Sequence, residues 1–396
     1  MTNNIYIIKS LAPWMIDELL AFSELSKFKI IFLRAQDEFY QDEISKLKNN
    51  GVGIYDKPFK LNYLIKKLKV VIKFIFRNLI RFKPDYNFVL GLKSLVWFIR
   101  LDLSHFSNKS NIHAQFATQA AIVSILIKQF FNNSPDYSFT FHAYDIYFEN
   151  KWFDLLVKNC KNAFSISEYN IDYVRNKFID SPKIILSHLG VFRDNTSEYK
   201  VLKKNNSKIF TLGLISWFVE KKGIIFLLKA MLEFKSRGLG NIKLLLAGDG
   251  PLKEEFIEFI KKNNLMDSVN YIGKIKGEQK KVFFESIDVF VLPSVSLEKD
   301  KDGIPVVLME AIASSLPVIS TKVSGIPEIC INDFNGLIVK QRNVDEIVRA
   351  VIFIYENKIS KEKFSKNSLS LSVKYDIIKN SKNKINTLGW KSKMNN

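Results

Sequence analysis

Residues 302–329 read DGIPVVLMEAIASSLPVISTKVSGIPEI, and this stretch decides the fold class. Gly303 permits a backbone turn, and the apolar run after it predicts a helix from Val306 to Ser314. Pro317 to Ser320 reads as a short buried strand and Ser324 to Glu328 as a second loop. Loop, helix and strand in this order form one repeat of an α/β architecture with a parallel sheet. The helix start offers free backbone N–H groups suited to a phosphate, with Gly303, Ile304, Pro305 and Val306 around it. Asp302 stands in the loop beside that point. Glu310, one turn into the helix, can accept hydrogen bonds from a vicinal diol such as a ribose. The plain alternative is that both acids cap the helix and favour its dipole.

The same alternation extends outward on both sides. Strand patterns occur at 208–216, 242–247, 269–272, 289–292 and 336–339, and helical ones at 224–237, 252–263 and 279–286. Upstream, 193–208 is polar and suits a linker. Before it a second α/β series runs through strands at 5–10, 29–33, 138–142, 163–167 and 183–188, with helices at 14–25 and 152–161. The expected fold is therefore α/β, with two Rossmann-like domains facing each other across a ligand-binding cleft. The expected boundaries are 1–195, 196–370, and a basic helix at 371–396 that returns to the first domain.

With 59 Lys and Arg against 40 Asp and Glu, the 396-residue chain carries a formal charge of +19, so its partner is expected to be anionic. Nucleic acid, a membrane surface and a phosphorylated small molecule all qualify. A hydrophobic fraction of 47% excludes a mostly disordered chain. Cys160 and Cys330 lie far apart with no C-x-x-C, which suggests neither a disulfide framework nor a zinc site and fits a reducing, cytoplasmic compartment. The start, MTNNIYIIKSLAPW, lacks the basic region of a signal peptide. No apolar run reaches the roughly 18 residues that span a bilayer.

From Lys60 to Lys83 the sequence KLNYLIKKLKVVIKFIFRNLIRFK carries eight cations and no acid. On a helix, Leu61, Leu64, Ile65, Leu68, Ile72, Ile75, Leu79 and Phe82 share one face. Lys66, Lys69, Lys73, Arg77 and Arg81 gather opposite. This is the pattern of a helix lying in an anionic membrane interface. It is equally the pattern of a surface helix packing its apolar face on the sheet.

Taken together, Asp302-x7-Glu310 followed by Pro317-Val318 resembles the E-x7-E signature of the retaining glycosyltransferases of family 4, which have the GT-B fold. Val219–Gly223 (VEKKG) resembles the family's basic donor loop, Gly248–Pro251 (GDGP) its next strand end, Val289–Ser294 (VFVLPS) the strand before the signature, and Asn335–Val339 (NGLIV) the strand after it. Ile112–Ala117, Thr140–Ile146 and His188–Val191 are similar to segments of bacterial members that build capsule, colanic-acid-like or lipopolysaccharide chains. The resemblance implies metal-independent transfer of a sugar from a nucleotide diphosphate sugar, with retention, to a growing surface glycan. A lipid-linked acceptor at the inner membrane face would suit the basic segment. By position, Glu310 would hold the ribose, Asp302 the transferred sugar and Lys222 the diphosphate. Gly250 and residues 303–306 would line the donor. His142 would contact the donor sugar or acceptor, or else be a satisfied core histidine. Asp145 would orient it or cap the next helix.

Two features depart from the family pattern. Ser216-Trp217 replaces its Gly-Arg, and indole makes no charge-assisted bidentate contact, so either Lys221 or another cation compensates, or donor turnover is weak, or the chain is a degenerate member. Gln115 stands where relatives often have a second histidine. Asp300-Lys301-Asp302 spells a D-x-D but has no second acidic cluster, so no metal is expected. The other functions weighed are a GT-B epimerase-like or non-catalytic member and, more remotely, a nucleic-acid-binding protein. No recognition motif for nucleic acid is present.

Overall fold

The computed structural model describes residues 3–34, 40–56, 59–79, 83–148, 150–193, 209–298, 300–391 and 393. The chain forms two compact units, Met1–Leu189 with Ile377–Asn396, and Gly190–Asp376.

Unit 1 runs β1 (Asn3–Ile8), α1 (Pro13–Leu25), β2 (Lys29–Phe32), α2 (Gln41–Asn49), β3 (Gly53–Asp56), α3 (Leu64–Phe74), α4 (Tyr86–Arg100), β4 (Ser110–Gln115), α5 (Gln119–Phe130), β5 (Asp136–Phe141), α6 (Ala143–Tyr147), α7 (Phe153–Asn159), β6 (Ala163–Ser165), α8 (Glu168–Lys177) and β7 (Ile184–Leu186). Its seven strands are parallel in the order β3-β2-β1-β4-β5-β6-β7, so chain direction across the sheet reverses between β1 and β4. The strands are apolar on both faces because helices cover both. Ile5 and Ile7 of β1 join a core built with α4, α5 and α7. Tyr6 and Ile8 point the other way, into a core with α1.

Unit 2 runs β8 (Phe210–Trp217), α9 (Ile224–Ser236), β9 (Ile242–Asp249), α10 (Lys253–Lys262), β10 (Val269–Tyr271), α11 (Glu278–Glu285), β11 (Val289–Leu292), α12 (Val306–Ala313), β12 (Val318–Thr321), β13 (Gly336–Val339), α13 (Val344–Glu356) and α14 (Lys358–Ser372). Its six parallel strands take the order β10-β9-β8-β11-β12-β13, with the reversal between β8 and β11. The last helix, α15 (Ile377–Leu388), belongs to unit 1, where Ile385, Leu388 and Trp390 pack with Phe22 and Phe28. The expected α/β class holds, and the predicted strand and helix ends fall within about two residues of the observed ones except in the basic segment and in the last helix, expected over 371–396 and found at Ile377–Leu388. The linker expected at 193–208 lies, from residue 194, outside the described residues.

The basic segment departs from its expected geometry. Tyr63, left-handed at φ 57°, precedes α3, and one π turn, Ile75–Leu79, follows it. From Leu61 to Ile72 the apolar stripe that the periodicity picks out is exposed, as Lys66, Lys69 and Lys73 are. A third stripe, Lys67, Val71, Phe74 and Leu79, packs inward. Lys67 is fully buried, and its ammonium donates to the carbonyls of Lys60 (3.1 Å), Ile99 (3.0 Å) and Leu101 (2.7 Å) and to Asn62 Oδ1 (3.1 Å). A lysine with its charge solvated by carbonyls can occupy a core position that a hydrophobicity pattern would not give it. The π turn sets later residues back along the helix, which carries Leu79 inside.

Candidate active site

The carboxyl ends of β8 and β11 lie side by side where unit 2's strand order reverses, the place where open parallel sheets bind ligands. After β8 the chain makes a short turn, Glu220–Lys222, and enters α9 through Gly223 at φ 64°. A Cβ at Gly223 would stand 1.9 Å from the Pro293 carbonyl oxygen. Glycine thus lets the β8 loop press on the end of β11, and Val295 N–H donates to the Lys221 carbonyl at 2.8 Å. This approach brings cations to acids eighty positions away. Lys222 Nζ is 2.7 Å from Asp302 Oδ1, and Lys221 Nζ is 2.7 Å from Asp300 Oδ1 and 3.9 Å from Asp302 Oδ1. Ser294 Oγ donates to Asp302 Oδ2 at 2.9 Å. Burial pushes the Asp302 carboxyl up, but Lys222, Lys221 and the Lys222 and Ser294 hydrogen bonds outweigh it and hold the group below the usual carboxylate range. Asp302 is therefore a buried anion aimed at a pair of cations.

Gly303, Ile304 and Pro305 carry the chain from Asp302 into α12, and Pro305 precedes Val306 in extended geometry. The first N–H groups of α12 have no acceptor within the helix. On that helix the Glu310 carboxylate is ion-paired with Lys280 of α11. Lys280 was not among the expected residues. It sits in the polar run EQKK, and no spacing signal distinguishes it from a solvated lysine. Gly250, at φ 149°, lies against the Phe218 backbone, where a Cβ would be 2.5 Å from Phe218 N. Its backbone shapes the loop that leads to Lys221 and Lys222. Trp217, at the end of β8, is 55% exposed.

His142 belongs to unit 1, at the end of β5, where it precedes α6. Its ring lies against Trp14 and Phe116, with centroids 4.6 and 4.7 Å away, and its Nε2 is 2.9 Å from the Gln115 amide. Burial, helped by the charge of Lys384, pushes its pKa down to about 3, so the ring is neutral near pH 7. Asp145 Oδ2 accepts the His142 backbone N–H at 2.8 Å, so this acid caps the helix. Burial raises the Asp145 carboxyl to about 7 against the pull of its backbone hydrogen bonds. His113 is buried against Tyr6 and hydrogen-bonded to Thr140 Oγ1 at 3.1 Å, a core position.

On α3 and the π turn after it, Leu64, Ile65, Leu68, Ile72 and Phe76 are exposed, with Ile65 at 76%. Lys66, Lys69, Lys73 and Arg77 are exposed beside them. A shallow open depression of about 610 Å³ there is lined by Tyr63, Leu64, Ile65, Lys66 and Lys69. Arg81 lies outside the described residues. Among the described residues, no helix is long and apolar enough to cross a membrane. Nor is any group of three or more His, Cys, Asp or Glu side chains placed to hold a metal ion. Asp300 and Asp302 are both engaged by lysines.

Residues 195–370 match the family model described as Glycosyl transferases group 1. The amylovoran biosynthesis glycosyltransferase AmsK of Erwinia amylovora is 35% identical over 123 residues, 31% of this chain and 30% of that protein. An uncharacterized glycosyltransferase of Methanocaldococcus jannaschii is 25% identical over 274 residues, 67% of this chain and 70% of that protein. The chain thus spans under a third of the amylovoran relative. The crystal structure of Anabaena HepE in complex with UDP and glucose superposes with a TM-score of 0.70 at 14% identity, covering 98% of this chain and 100% of that one. The fold is GT-B.

Proposed function

We propose that this chain, whose residues 195–370 match the model of the Glycosyl transferases group 1 family, moves a sugar from a nucleotide diphosphate sugar to a growing bacterial surface glycan and retains the anomeric configuration. The observation that carries this reading is the pairing of Lys222 with the buried Asp302 at the strand-order reversal of unit 2. A cation pair and a helix start beside a fixed carboxylate suit a diphosphate linked to a hydroxyl-bearing ring. Lys222, with Lys221 in the role that Trp217 cannot fill, takes the negative charge that develops on the leaving diphosphate. Asp302 receives hydroxyls of the transferred sugar, and Glu310, held by Lys280, receives the ribose diol. Residues 303–306 and Gly250 give the donor its backbone surroundings. His142 serves the transfer as a neutral hydrogen-bonding group. The HepE complex with UDP and glucose supports this donor class, and the resemblance supports retention and metal independence.

The test is a thermal-shift panel of UDP- and GDP-sugars. A matching donor raises the melting temperature of the native state, and Glu310→Ala and Lys222→Ala remove the rise. Undiminished binding in both variants overturns the site.

The acceptor is proposed to be lipid-linked, with the enzyme peripheral at the inner membrane face of the cytoplasm. The exposed apolar stripe of α3, bordered by Lys66, Lys69, Lys73 and Arg77 and continued by Arg81 in the sequence, supports this placement.

A further inference from the structure

A buried file of polar groups crosses unit 1 from α15 to His142. Lys384 Nζ is 2.5 Å from Glu18 Oε1. Tyr6 Oη is 2.8 Å from Glu18 Oε2 and 2.7 Å from one end of the Gln115 amide. The other end of that amide is 2.9 Å from His142 Nε2. Glu18, Tyr6, Gln115, His142 and Lys384 are all buried. The register of the sheet makes the file possible. Tyr6 pairs with His113 on β4, two residues before Gln115, so Tyr6 and Gln115 project from the same face.

Counting protons along the file fixes its direction. The two ends of an amide exchange by a rotation that leaves the heavy atoms in place, so partners decide which end faces where. Glu18, paired with an ammonium, is a carboxylate and can only accept. Tyr6 has one proton, and burial together with Glu18 holds its pKa well above 10, so that proton stays on and is given to Glu18. The Tyr6 oxygen can then only accept from Gln115, which turns the amide NH2 toward Tyr6. The amide carbonyl is left facing His142 Nε2, and a carbonyl must be given a proton.

We propose that Gln115 is a positioning residue that fixes His142 as the neutral tautomer protonated on Nε2, with its own orientation dictated by Tyr6, Glu18 and Lys384. Glu18 and Lys384 anchor the file, and α15 thereby sets the state of a side chain just past the end of β5. The catalytic meaning of this device rests on the glycosyl-transfer reading; the tautomer itself does not.

The experiment is a long-range proton–nitrogen NMR spectrum of the full chain labelled with 15N-histidine. The chain has four histidines, and the His142 signal is assigned by its loss in His142→Gln. The expected result is a protonated Nε2 and a bare Nδ1 at pH 7. In Tyr6→Phe the amide loses its reason to point one way, and both tautomers are expected. Gln115→Glu, which as a neutral acid offers the same acceptor and donor, keeps the wild-type tautomer, whereas Gln115→Met loses the preference. A wild-type His142 protonated on Nδ1, or a Tyr6→Phe spectrum unchanged from wild type, overturns the proposal without any variant activity being needed. In the transfer assay, Gln115→Met is expected to lose kcat with KM retained, and Gln115→Glu to recover it. If the wild type shows the expected tautomer but transfers no sugar from any donor, the functional reading fails and the relay stands.

Discussion

Lys280 of α11 and Glu310 of α12 form an ion pair between side chains thirty positions apart in sequence. The Lys280 ammonium engages Oε1 of the carboxylate, and a carboxylate has about four lone-pair sites, so Lys280 orients Glu310 without exhausting it. Glu310→Ala is expected to weaken nucleotide binding by about 1.5–3 kcal/mol, the range for hydrogen bonds to a charged group. Lys280→Met, which removes only the orientation, should cost less than Glu310→Ala and leave the melting temperature of the free protein nearly unchanged, because Lys280 is partly exposed. Isothermal titration with the donor found in the thermal-shift panel checks both. Equal losses in the two variants would instead make Lys280 a direct ligand contact.

Gly223 fixes the approach of the β8 loop to β11. An alanine there meets two obstacles, a left-handed backbone at φ 64° and a carbonyl 1.9 Å from the new Cβ. Backbone strain of this kind costs roughly 1–3 kcal/mol, and the clash must be relieved by moving the loop. Gly223→Ala should therefore lower the urea midpoint and, by displacing Lys222 from Asp302, weaken nucleotide binding as well. A stable variant with intact binding would show that the loop yields at no cost to the site.

Much of this was legible in the sequence, and the omissions have physical causes. Asp302 and Glu310 were visible because a turn glycine, a proline and an apolar helix lie between and around them at fixed spacing. Lys280 was not, because its partner is set by how α11 packs beside α12. In the sequence Lys67 is one of eight cations in a basic segment, yet the structure buries it against four oxygen acceptors. The periodicity of 60–83 gave two faces where the helix has three. A pattern of apolar and charged residues records amphipathicity but not which side meets the protein. His142 ends a strand pattern that the sequence shows, while its link to Tyr6 depends on the register of β1 with β4.

Asp145 should make stability depend on pH in the direction opposite to carboxylates that ion pairs hold below their ordinary pKa. Its folded pKa is about 7, against about 3.9 when unfolded. Between these values the unfolded chain has released a proton that the folded chain keeps, so stability falls as pH rises from about 4 to about 7 and is level above that. The slope approaches about 1.4 kcal/mol per pH unit. His113 and His142, both lowered by burial, work the other way below about pH 6.5, but they are shared by wild type and Asp145→Asn and cancel in the difference. Urea titrations across pH 4–8 should find Asp145→Asn gaining on wild type as pH rises. A difference independent of pH would mean that Asp145 is ionised throughout.

If α3 lies on a bilayer, its two exposed stripes should contribute separably. Replacing Lys66, Lys69 and Lys73 by Gln removes cations worth about 1 kcal/mol each at an anionic surface, or about a hundredfold in affinity for the three. That loss should appear with vesicles containing phosphatidylglycerol and vanish with neutral ones. Ile65→Glu with Ile72→Glu should abolish binding to both, while the melting temperature stays close to wild type because both side chains are exposed. Co-sedimentation checks this, and a wild type that stays in the supernatant with anionic vesicles would refute the membrane placement.

Lys384 and Glu18 allow the stability of unit 1 to be separated from the state of His142. Lys384→Met leaves a carboxylate buried without its cation, an arrangement that costs about 3–5 kcal/mol. Adding Glu18→Leu removes the stranded charge, and apolar replacement of a buried ion pair is often neutral or better. The double variant should therefore regain most of the wild-type urea midpoint. It should not regain the wild-type tautomer. With Glu18 gone, the Tyr6 proton has only Gln115 to go to, so the amide carbonyl turns toward Tyr6 and its NH2 toward His142. Nε2 must then be bare, and the proton moves to Nδ1 as the ring gives up the Asp145 backbone N–H that its side chain accepts in the capping box. A stable double variant with the histidine reversed would assign the pair two distinct effects, one on folding and one transmitted through Tyr6 and Gln115. If the double variant is stable and His142 keeps its proton on Nε2, the ion pair holds α15 to α1 and has no hand in the state of the histidine.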